Sequence, residues 1–230
     1  MSTFRLERPN RHTMGIALIL AFLPLPVALA AALFQDSTPA STLPSPPPGT
    51  PASPPVEMAR KELAALKVEV PHSLEGYRRD KFEQAGYERR PDIRDVVLHR
   101  DGTDVGPSTH RQKDTRVWFS PYDERIITEA SEVYVDHLVP LANAWHSGAH
   151  KWDAAQRHKF ANDLSTSQLI SVSTVANSAK GDQSPDQWVP PNTDYHCPYA
   201  KAWTHVKFTY GLSVTKGEKA ALNKMLNTCR

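Results

Sequence analysis

The stretch that decides the fold is Val133-Tyr134-Val135-Asp136-His137-Leu138-Val139-Pro140. Its first three residues favour a β-strand, and that strand leads directly into an acid beside a histidine. Ionisable side chains at the end of an apolar strand are costly to bury unless they are paired or bind something. The Asp136–His137 pair is therefore the first candidate for a functional site.

A second block of interest lies further along the chain. Gln168–Ser173 predicts another short strand, and Thr174–Lys180 predicts a short helix that ends at Gly181. Asn177 lies on this helix, and Lys180 is three residues on, so both share one face. Two strands followed by a helix predict an α+β fold with a ββα core and a small antiparallel sheet, surrounded by further helices.

The residues of the two blocks suit phosphodiester hydrolysis. A neutral histidine takes a proton from water near pH 7, while a divalent cation neutralises the phosphate. Mg²⁺ accepts carboxylate and amide oxygens, so Asp136 and Asn177 are candidate ligands. Lys180 is a candidate phosphate contact. Because neighbouring side chains of a regular strand face opposite sides, we expect the strand to end or bulge at Asp136 and His137.

The composition narrows the class of protein. The chain has 230 residues, 40% of them hydrophobic, and a formal net charge of +2. This is enough for one ordinary core, and the charge alone does not indicate a polyanionic partner. There are only two cysteines, Cys197 and Cys229, and this excludes a structural zinc site built on thiolates.

The N-terminal part of the chain predicts export. A polar, basic start is followed by the apolar run Gly15–Phe34, with small residues around Ala28-Leu29-Ala30. We expect residues 1–34 to be a secretory signal peptide, with a single-pass membrane anchor as the alternative. Residues 35–55, rich in Pro, Ser and Thr, predict a disordered linker, and residues 56–230 the folded domain. Both alternatives place that domain outside the cytosol, and a membrane contact is expected only if the N-terminal segment is not cleaved.

The C-terminal part predicts a helical hairpin. Its helices run from about Pro198 to Tyr210 and from about Lys216 to Asn227. An antiparallel pair brings the start of the first helix beside the end of the second, and Cys197 and Cys229 stand at those two places. In an exported chain we expect a disulfide between them rather than free thiols.

Three motifs together carry a resemblance to a known family. Asp136-His137-Leu138-Val139-Pro140-Leu141, Asn177-x-x-Lys180-Gly181-Asp182 and Trp188-x-Pro190-Pro191 resemble the HNH (His-Me finger) nucleases. More closely, the chain resembles secreted proteins that carry the GmrSD-type restriction endonuclease C-terminal nuclease domain. The likeness continues through Cys197-x-Tyr199-Ala200-x-x-Trp203 to Cys229 and extends back to Asp92-Ile93-Arg94 and Ser120-Pro121-Tyr122, so it covers most of the chain after the linker.

The resemblance implies a ββα-metal core with specific roles. His137 is the expected general base, and Asp136 and Asn177 are the expected ligands of one divalent metal ion, Mg²⁺ or else Mn²⁺ or Ca²⁺. The middle letter of the motif is usually an asparagine that orients the base. Here Gln168 stands at that place, and Asn162 is a second candidate.

The expected substrate is nucleic acid. Lys180 and Arg94 are the candidate substrate-binding residues. Contacts made mainly to phosphates predict low sequence specificity. The chain is thus expected to be an exported, metal-dependent endonuclease that hydrolyses DNA, or RNA as well, with no stable protein partner implied.

Two other interpretations stay open at this stage. Gln168, in place of the usual asparagine, favours a non-catalytic nucleic-acid or cell-surface binding module that keeps the nuclease fold. His146, His150 and His158 would permit a zinc hydrolase of another class, provided that one helix continues through all three.

Overall fold

Seven helices and five short strands make up the part of the chain that the computed structural model describes, residues 51–83, 92–105 and 116–230. The helices are α1 (Val56–Ala65), α2 (Ile93–Asp101), α3 (Leu141–His146), α4 (Ala154–Ala161), α5 (Thr174–Lys180), α6 (His196–Thr209) and α7 (Lys216–Leu226). The strands are β1 (Gly102–Asp104), β2 (Arg116–Ser120), β3 (Arg125–Ile127), β4 (Val133–His137) and β5 (Leu169–Ser173). The fold is therefore mixed α+β, as the sequence predicts. The predicted signal peptide and most of the predicted linker lie outside the described residues.

Strands β4 and β5 form a regular antiparallel pair. Each residue of β4 has a partner in β5, with Asp136 opposite Ile170 and His137 opposite Leu169. Strand β4 ends at His137, but it has no bulge, and both residues of the Asp-His pair are still paired with β5, so the strand is regular up to its last residue. Since the strand is regular, the side chains of Asp136 and His137 point to opposite faces of the sheet.

Helix α5 packs on this strand pair and completes the predicted order of strand, strand and helix. The Ser173 hydroxyl caps the helix by accepting a hydrogen bond from the Ala176 backbone N–H at 3.0 Å. Gly181 ends the helix with φ 51° and ψ −134°, a conformation that favours glycine. Ala176 and Lys180 are buried, so this face of α5 lies against the core.

Helices α3 and α4 lie between the two strands in the chain. Asp153 caps α4, because its carboxylate accepts from the Gln156 backbone N–H at 2.7 Å. Helix α4 packs against a short 3-10 helix, Arg79–Phe82, whose Phe82 is buried beside Phe160. The last residue of α4, Ala161, lies next to His137.

The C-terminal helices close the main core. Helix α7 begins with a capping box, in which Thr215 and Glu218 each bond to the other's backbone N–H. Cys197 and Cys229 form a disulfide with a Cα–Cα distance of 5.1 Å, which confirms the predicted pairing. Helix α1 packs on both α6 and α7, and the large side chain of Trp203 is fully buried in this core.

A second sheet of three strands consists of β1, β2 and β3 in antiparallel order. Its buried residues Trp118 and Ile127 join Leu98 and Val133 in a separate small cluster, which ties this sheet to β4. Among the described residues, no helix is long and apolar enough to cross a membrane.

Candidate active site

Asp136 lies on the inner face of β4 and is 5% exposed. The Lys180 ammonium donates to both carboxylate oxygens, at 3.0 Å to Oδ1 and 2.8 Å to Oδ2. The Tyr122 hydroxyl donates to Oδ2 at 2.8 Å. The carboxylate is thus held in a buried, charge-assisted hydrogen-bond network.

Lys180 is fully buried and is the cation of this network. Besides the carboxylate of Asp136, its ammonium donates to the His137 carbonyl oxygen at 3.0 Å. Lys180 is predicted to contact a phosphate, but in this structure its ammonium is buried and bonded to Asp136 and to the His137 carbonyl oxygen. Its position one turn after Ala176, on the core side of α5, is the physical reason.

Tyr122 is the third member of the network; the family resemblance includes it in Ser120-Pro121-Tyr122 but assigns it no role. Burial, and then the neighbouring Asp136 carboxylate, raise the pKa of Tyr122 well above its usual value. The phenol therefore stays protonated and serves as a hydrogen-bond donor to Asp136 at all ordinary pH values. Tyr122 packs edge-on against Trp188, the tryptophan of the Trp-x-Pro-Pro motif. This motif therefore contacts the network through the ring of Tyr122.

His137 lies on the other face of β4 and lines a cavity of about 520 Å³. Its Nε2 is 2.9 Å from the Ala161 carbonyl oxygen. A carbonyl only accepts hydrogen bonds, so Nε2 carries the proton and Nδ1 bears the lone pair. The helix α4 terminus thus fixes the tautomer in which Nδ1 can accept a proton.

The surroundings of His137 keep its imidazole neutral. Burial lowers the pKa of His137 from its ordinary value, and the charges of Arg79 and Lys180 also lower it. The Ala161 hydrogen bond and the Asp136 carboxylate oppose the shift without cancelling it. A neutral imidazole near pH 7 is the protonation state that a general base requires.

Two arginines and few other charged groups line the same cavity. The charged and polar side chains of its wall include Arg79, Glu83, Arg94, His137, Asn162 and Thr174. Arg94, predicted to bind substrate, donates from Nη2 to the carbonyl oxygens of Ala130 at 2.8 Å and Val133 at 3.2 Å. Its buried Nη1 has no hydrogen-bond partner among the described residues. Arg94 is thus anchored at Nη2, and its positive charge lies at the wall of the cavity.

The two candidates for the middle position of the motif play different parts. Gln168 is fully buried, and its side-chain amide accepts from Val139 N–H at 3.1 Å and donates to Val139 C=O at 2.8 Å. Asn162 lines the cavity and donates to the His158 carbonyl oxygen at 2.9 Å. Neither side chain is hydrogen-bonded to His137 in the described part of the chain. Gln168 therefore fixes the chain just after the base, while the carbonyl of Ala161 orients the imidazole itself.

The predicted metal ligands do not fit a divalent cation in this arrangement. Asn177 is half-buried on α5, and its side chain forms no hydrogen bond within the described ranges. Asp136, by contrast, has an ammonium within 3.0 Å of both oxygens, and like charge opposes a cation there. One amide oxygen alone is too few protein ligands for Mg²⁺, which usually takes one or two carboxylates. Asp136 also faces away from His137, so the base and the predicted metal site are not assembled on one face.

The histidines considered for zinc do not form a ligand set. His150 Nδ1 contacts the Trp145 carbonyl oxygen at 2.9 Å, and its ring stacks on His72 with centroids 3.7 Å apart. His146 Nδ1 contacts the His72 carbonyl oxygen, and His158 contacts Asn162. Throughout residues 51–83, 92–105 and 116–230, no group of three or more His, Cys, Asp or Glu residues is placed to hold a metal ion.

Comparison with known proteins gives a family for this chain. The family model described as "GmrSD restriction endonucleases, C-terminal domain" matches residues 77–225. A protein of Arthroderma benhamiae (strain ATCC MYA-4681 / CBS 112371), named "Uncharacterized secreted protein", is 46% identical over 187 residues, which are 81% of this chain and 92% of that protein. No solved structure matches the chain. The matched region contains the β4–β5–α5 unit, the cavity of His137 and most of the C-terminal helical pair, and this chain is a member of the GmrSD restriction endonuclease C-terminal domain family.

Proposed function

We propose that this protein is an exported nuclease that hydrolyses phosphodiester bonds in DNA or RNA with His137 as the general base. The observation that carries the proposal is the state of the His137 imidazole. It is neutral, lines a cavity, and is oriented by Ala161 so that Nδ1 is the acceptor. Membership of a restriction endonuclease domain family supplies the reaction class.

The proposed reaction is the hydrolysis of one P–O bond. His137 Nδ1 removes a proton from a water molecule, and the water oxygen forms a bond to phosphorus. The bond from phosphorus to the leaving sugar oxygen breaks, and that oxygen takes a proton from solvent. The imidazolium then returns its proton to solvent. Ala161 C=O holds the ring throughout, because it is hydrogen-bonded to the nitrogen that does not react.

Asp136 takes no part in this chemistry and is assigned a structural role. Its carboxylate, with Lys180 and Tyr122, fixes β4 against α5 on the face opposite the cavity. Lys180 also holds the His137 carbonyl oxygen, so the network sets the position of the backbone that carries the base.

Three observations support export. The basic start and the apolar run Gly15–Phe34 have the order of a signal peptide. The disulfide between Cys197 and Cys229 suits an oxidising compartment. The curated relative from Arthroderma benhamiae is called a secreted protein.

The test is cleavage by the full chain expressed in a secreting host. Plasmid DNA, single-stranded DNA and RNA are each incubated with the wild type and with His137→Ala, in the presence of Mg²⁺ and, separately, of a chelator. We expect His137→Ala to lower the cleavage rate by about 10²–10⁴-fold, the usual contribution of a general base. His99→Ala is the matched control, because His99 is exposed on α2 and does not line the cavity. Equal cleavage by wild type and His137→Ala would reject the mechanism.

A non-catalytic binding module is the second candidate. The Asp136–Lys180 pair favours this candidate, because the family resemblance implies that the Asp136 carboxylate binds a metal ion, whereas here it is paired with Lys180. Nucleic-acid binding by the wild type without cleavage of any of the three substrates, with or without Mg²⁺, would support this second candidate.

A further inference from the structure

We infer that Arg79 is a substrate-contacting residue whose guanidinium binds the phosphate that His137 attacks. The inference deepens the proposed function and rests on it. Neither sequence motifs nor the family resemblance point to Arg79. It follows from the placement of one unpaired cation at the cavity of the base.

The first observation is the contrast between Arg79 and its neighbours in the chain. Arg78 forms an ion pair with Asp80 at 3.0 Å, and the Lys81 ammonium donates to the Gly76 carbonyl oxygen at 2.6 Å. The Arg79 guanidinium forms no ion pair or hydrogen bond with any residue that the structure describes, and its side chain lines the cavity. Asp80 thus neutralises Arg78, and a backbone carbonyl binds the Lys81 ammonium, whereas Arg79 is left available to an anion.

The second observation is that Arg79 is presented on a firmly held segment. The short helix Arg79–Phe82 is anchored by the buried Phe82 side chain. Arg157 of helix α4 donates to the Lys81 carbonyl oxygen at 3.1 Å, and the Lys81 ammonium lies 5.1 Å from the centre of the Trp145 ring. A cation on a fixed backbone loses less entropy on binding an anion than one on a mobile loop.

The third observation is the second arginine of the same cavity. Arg94 also lines the cavity, and the carbonyl oxygens of Ala130 and Val133 hold its guanidinium, so it adds a second positive charge beside His137. Glu83 also lines the cavity, and the three charged groups together leave one net positive charge. Guanidinium groups match phosphate oxygens with two parallel hydrogen bonds. An attacked phosphate gains negative charge, and cations on its oxygens stabilise it.

The role of Arg79 matters because Lys180, the cation described beside Asp136 on the opposite face of β4, is not free. Lys180 is fully buried and partnered, so it cannot reach a substrate. The charge of Arg79 does reach the imidazole, since it is one of the causes that lower the pKa of His137. A guanidinium that acts on the base and binds the phosphate would couple substrate position to the protonation state of His137.

The experiment compares Arg79→Gln with Arg78→Gln in the full chain. Arg78 is the matched control, because it has the same side chain one residue earlier but is exposed, paired with Asp80 and absent from the cavity wall. We expect Arg79→Gln to lower kcat/KM for single-stranded DNA by about 10- to 100-fold, the effect of a hydrogen bond to a charged group. Arg78→Gln should change it by less than about twofold. Equal values for the two variants would overturn the inference.

Binding measured without turnover separates this inference from the nuclease proposal. In the His137→Ala background, anisotropy of a short fluorescein-labelled DNA strand gives Kd at several salt concentrations. Adding Arg79→Gln should weaken binding and reduce the salt slope by about one, as expected for a lost phosphate contact, while adding Arg78→Gln should not. Unchanged binding on adding Arg79→Gln would overturn the inference. Absence of cleavage by the wild type would reject the nuclease proposal and leave this binding result standing.

An NMR titration adds a readout that a merely structural role would not move. Arg79→Gln should raise the pKa of His137 relative to wild type, because a nearby positive charge is removed. Arg79→Lys keeps the charge and should leave the His137 titration near wild type, but it loses the paired hydrogen bonds and so restores kcat/KM only in part. An unchanged His137 titration in Arg79→Gln would contradict the placement of the guanidinium beside the base.

Discussion

The two faces of strand β4 differ in how far their polar groups are satisfied. On the inner face, each carboxylate oxygen of Asp136 has a partner, and the Lys180 ammonium is bound by three oxygens. On the outer face, the lone pair of His137 Nδ1 and one nitrogen of Arg94 lack partners within the described residues. Adjacent residues of one motif thus fall into two classes. We therefore propose a structural role for Asp136 and a catalytic role for His137.

A second buried pair shows that the Asp136–Lys180 network is a building element of this fold. The Lys207 ammonium lies 2.6 Å from Glu218, and both residues are buried. Trp203 donates to the same carboxylate at 2.6 Å, and Lys207 donates to the Ser213 carbonyl oxygen at 2.9 Å. Each network therefore combines a lysine, a carboxylate, an aromatic donor and a backbone carbonyl. Lys207 does not line the cavity of His137, so the same combination also occurs in this fold away from the proposed site.

The largest stability effect is expected for Lys180→Met. The change leaves the Asp136 carboxylate buried without its cation, which costs about 3–5 kcal/mol of the free energy of unfolding. Lys207→Met should cost a similar amount, because Glu218 is left in the same state. Urea unfolding measures both, and Lys159→Met on the exposed side of α4 is the control with a change within about 0.5 kcal/mol. If Lys180→Met lowered the free energy of unfolding no more than the control does, the structural role of the inner face would be contradicted.

A smaller effect is expected for Tyr122→Phe. This change removes one hydrogen bond to a buried carboxylate, worth about 1.5–3 kcal/mol of unfolding free energy. Tyr199→Phe is the matched control, because the Tyr199 hydroxyl is equally buried but has no partner in the described part of the chain. Its removal should be neutral or stabilising. Equal losses for the two variants, measured by urea unfolding, would show that the bond to Asp136 contributes nothing.

The smallest effect is the pH dependence that arises from His137. Because burial lowers its pKa below the ordinary value of 6.5, the unfolded chain binds more protons in the interval just below pH 6.5. This residue therefore contributes a loss of stability as the pH falls from 6.5 through the lowered pKa. Cleavage should be constant near neutral pH and fall only below pH 6.5, where the imidazole becomes protonated. An activity loss that begins above pH 6.5 in wild type but not in Lys180→Met would instead assign the titration to the inner face.

Local patterns in the sequence predict the elements that carry the site. Alternating residues mark β4, the stop at Gly181 marks the end of α5, and the helix lengths place Cys197 beside Cys229. Each of these depends on neighbours close in sequence or on a simple antiparallel pairing, so composition and spacing are sufficient.

Contacts between segments that are distant in the chain could not be predicted from the sequence. Lysine is usually an exposed residue type, and only the packing of α5 on β4 shows that Lys180 is buried. Tyr122 reaches Asp136 from the loop after β2, and no periodic pattern links the two. The group that orients His137 is the backbone carbonyl of Ala161, which any residue type would supply. The expected bulge at Asp136 and His137 is absent for a related reason. Pairing with β5, and not the motif itself, keeps β4 regular through both residues.

The most direct test of the division between the two faces is cleavage by the double variant Asp136→Asn with Lys180→Met. The asparagine still accepts the bond from Tyr122, and removing the lysine leaves no unpaired buried charge. We predict a folded protein that cleaves single-stranded DNA within about tenfold of the wild-type rate, since no group on the outer face is changed. A folded double variant that loses cleavage as completely as His137→Ala does would contradict the structural role of Asp136 and restore it to the reaction.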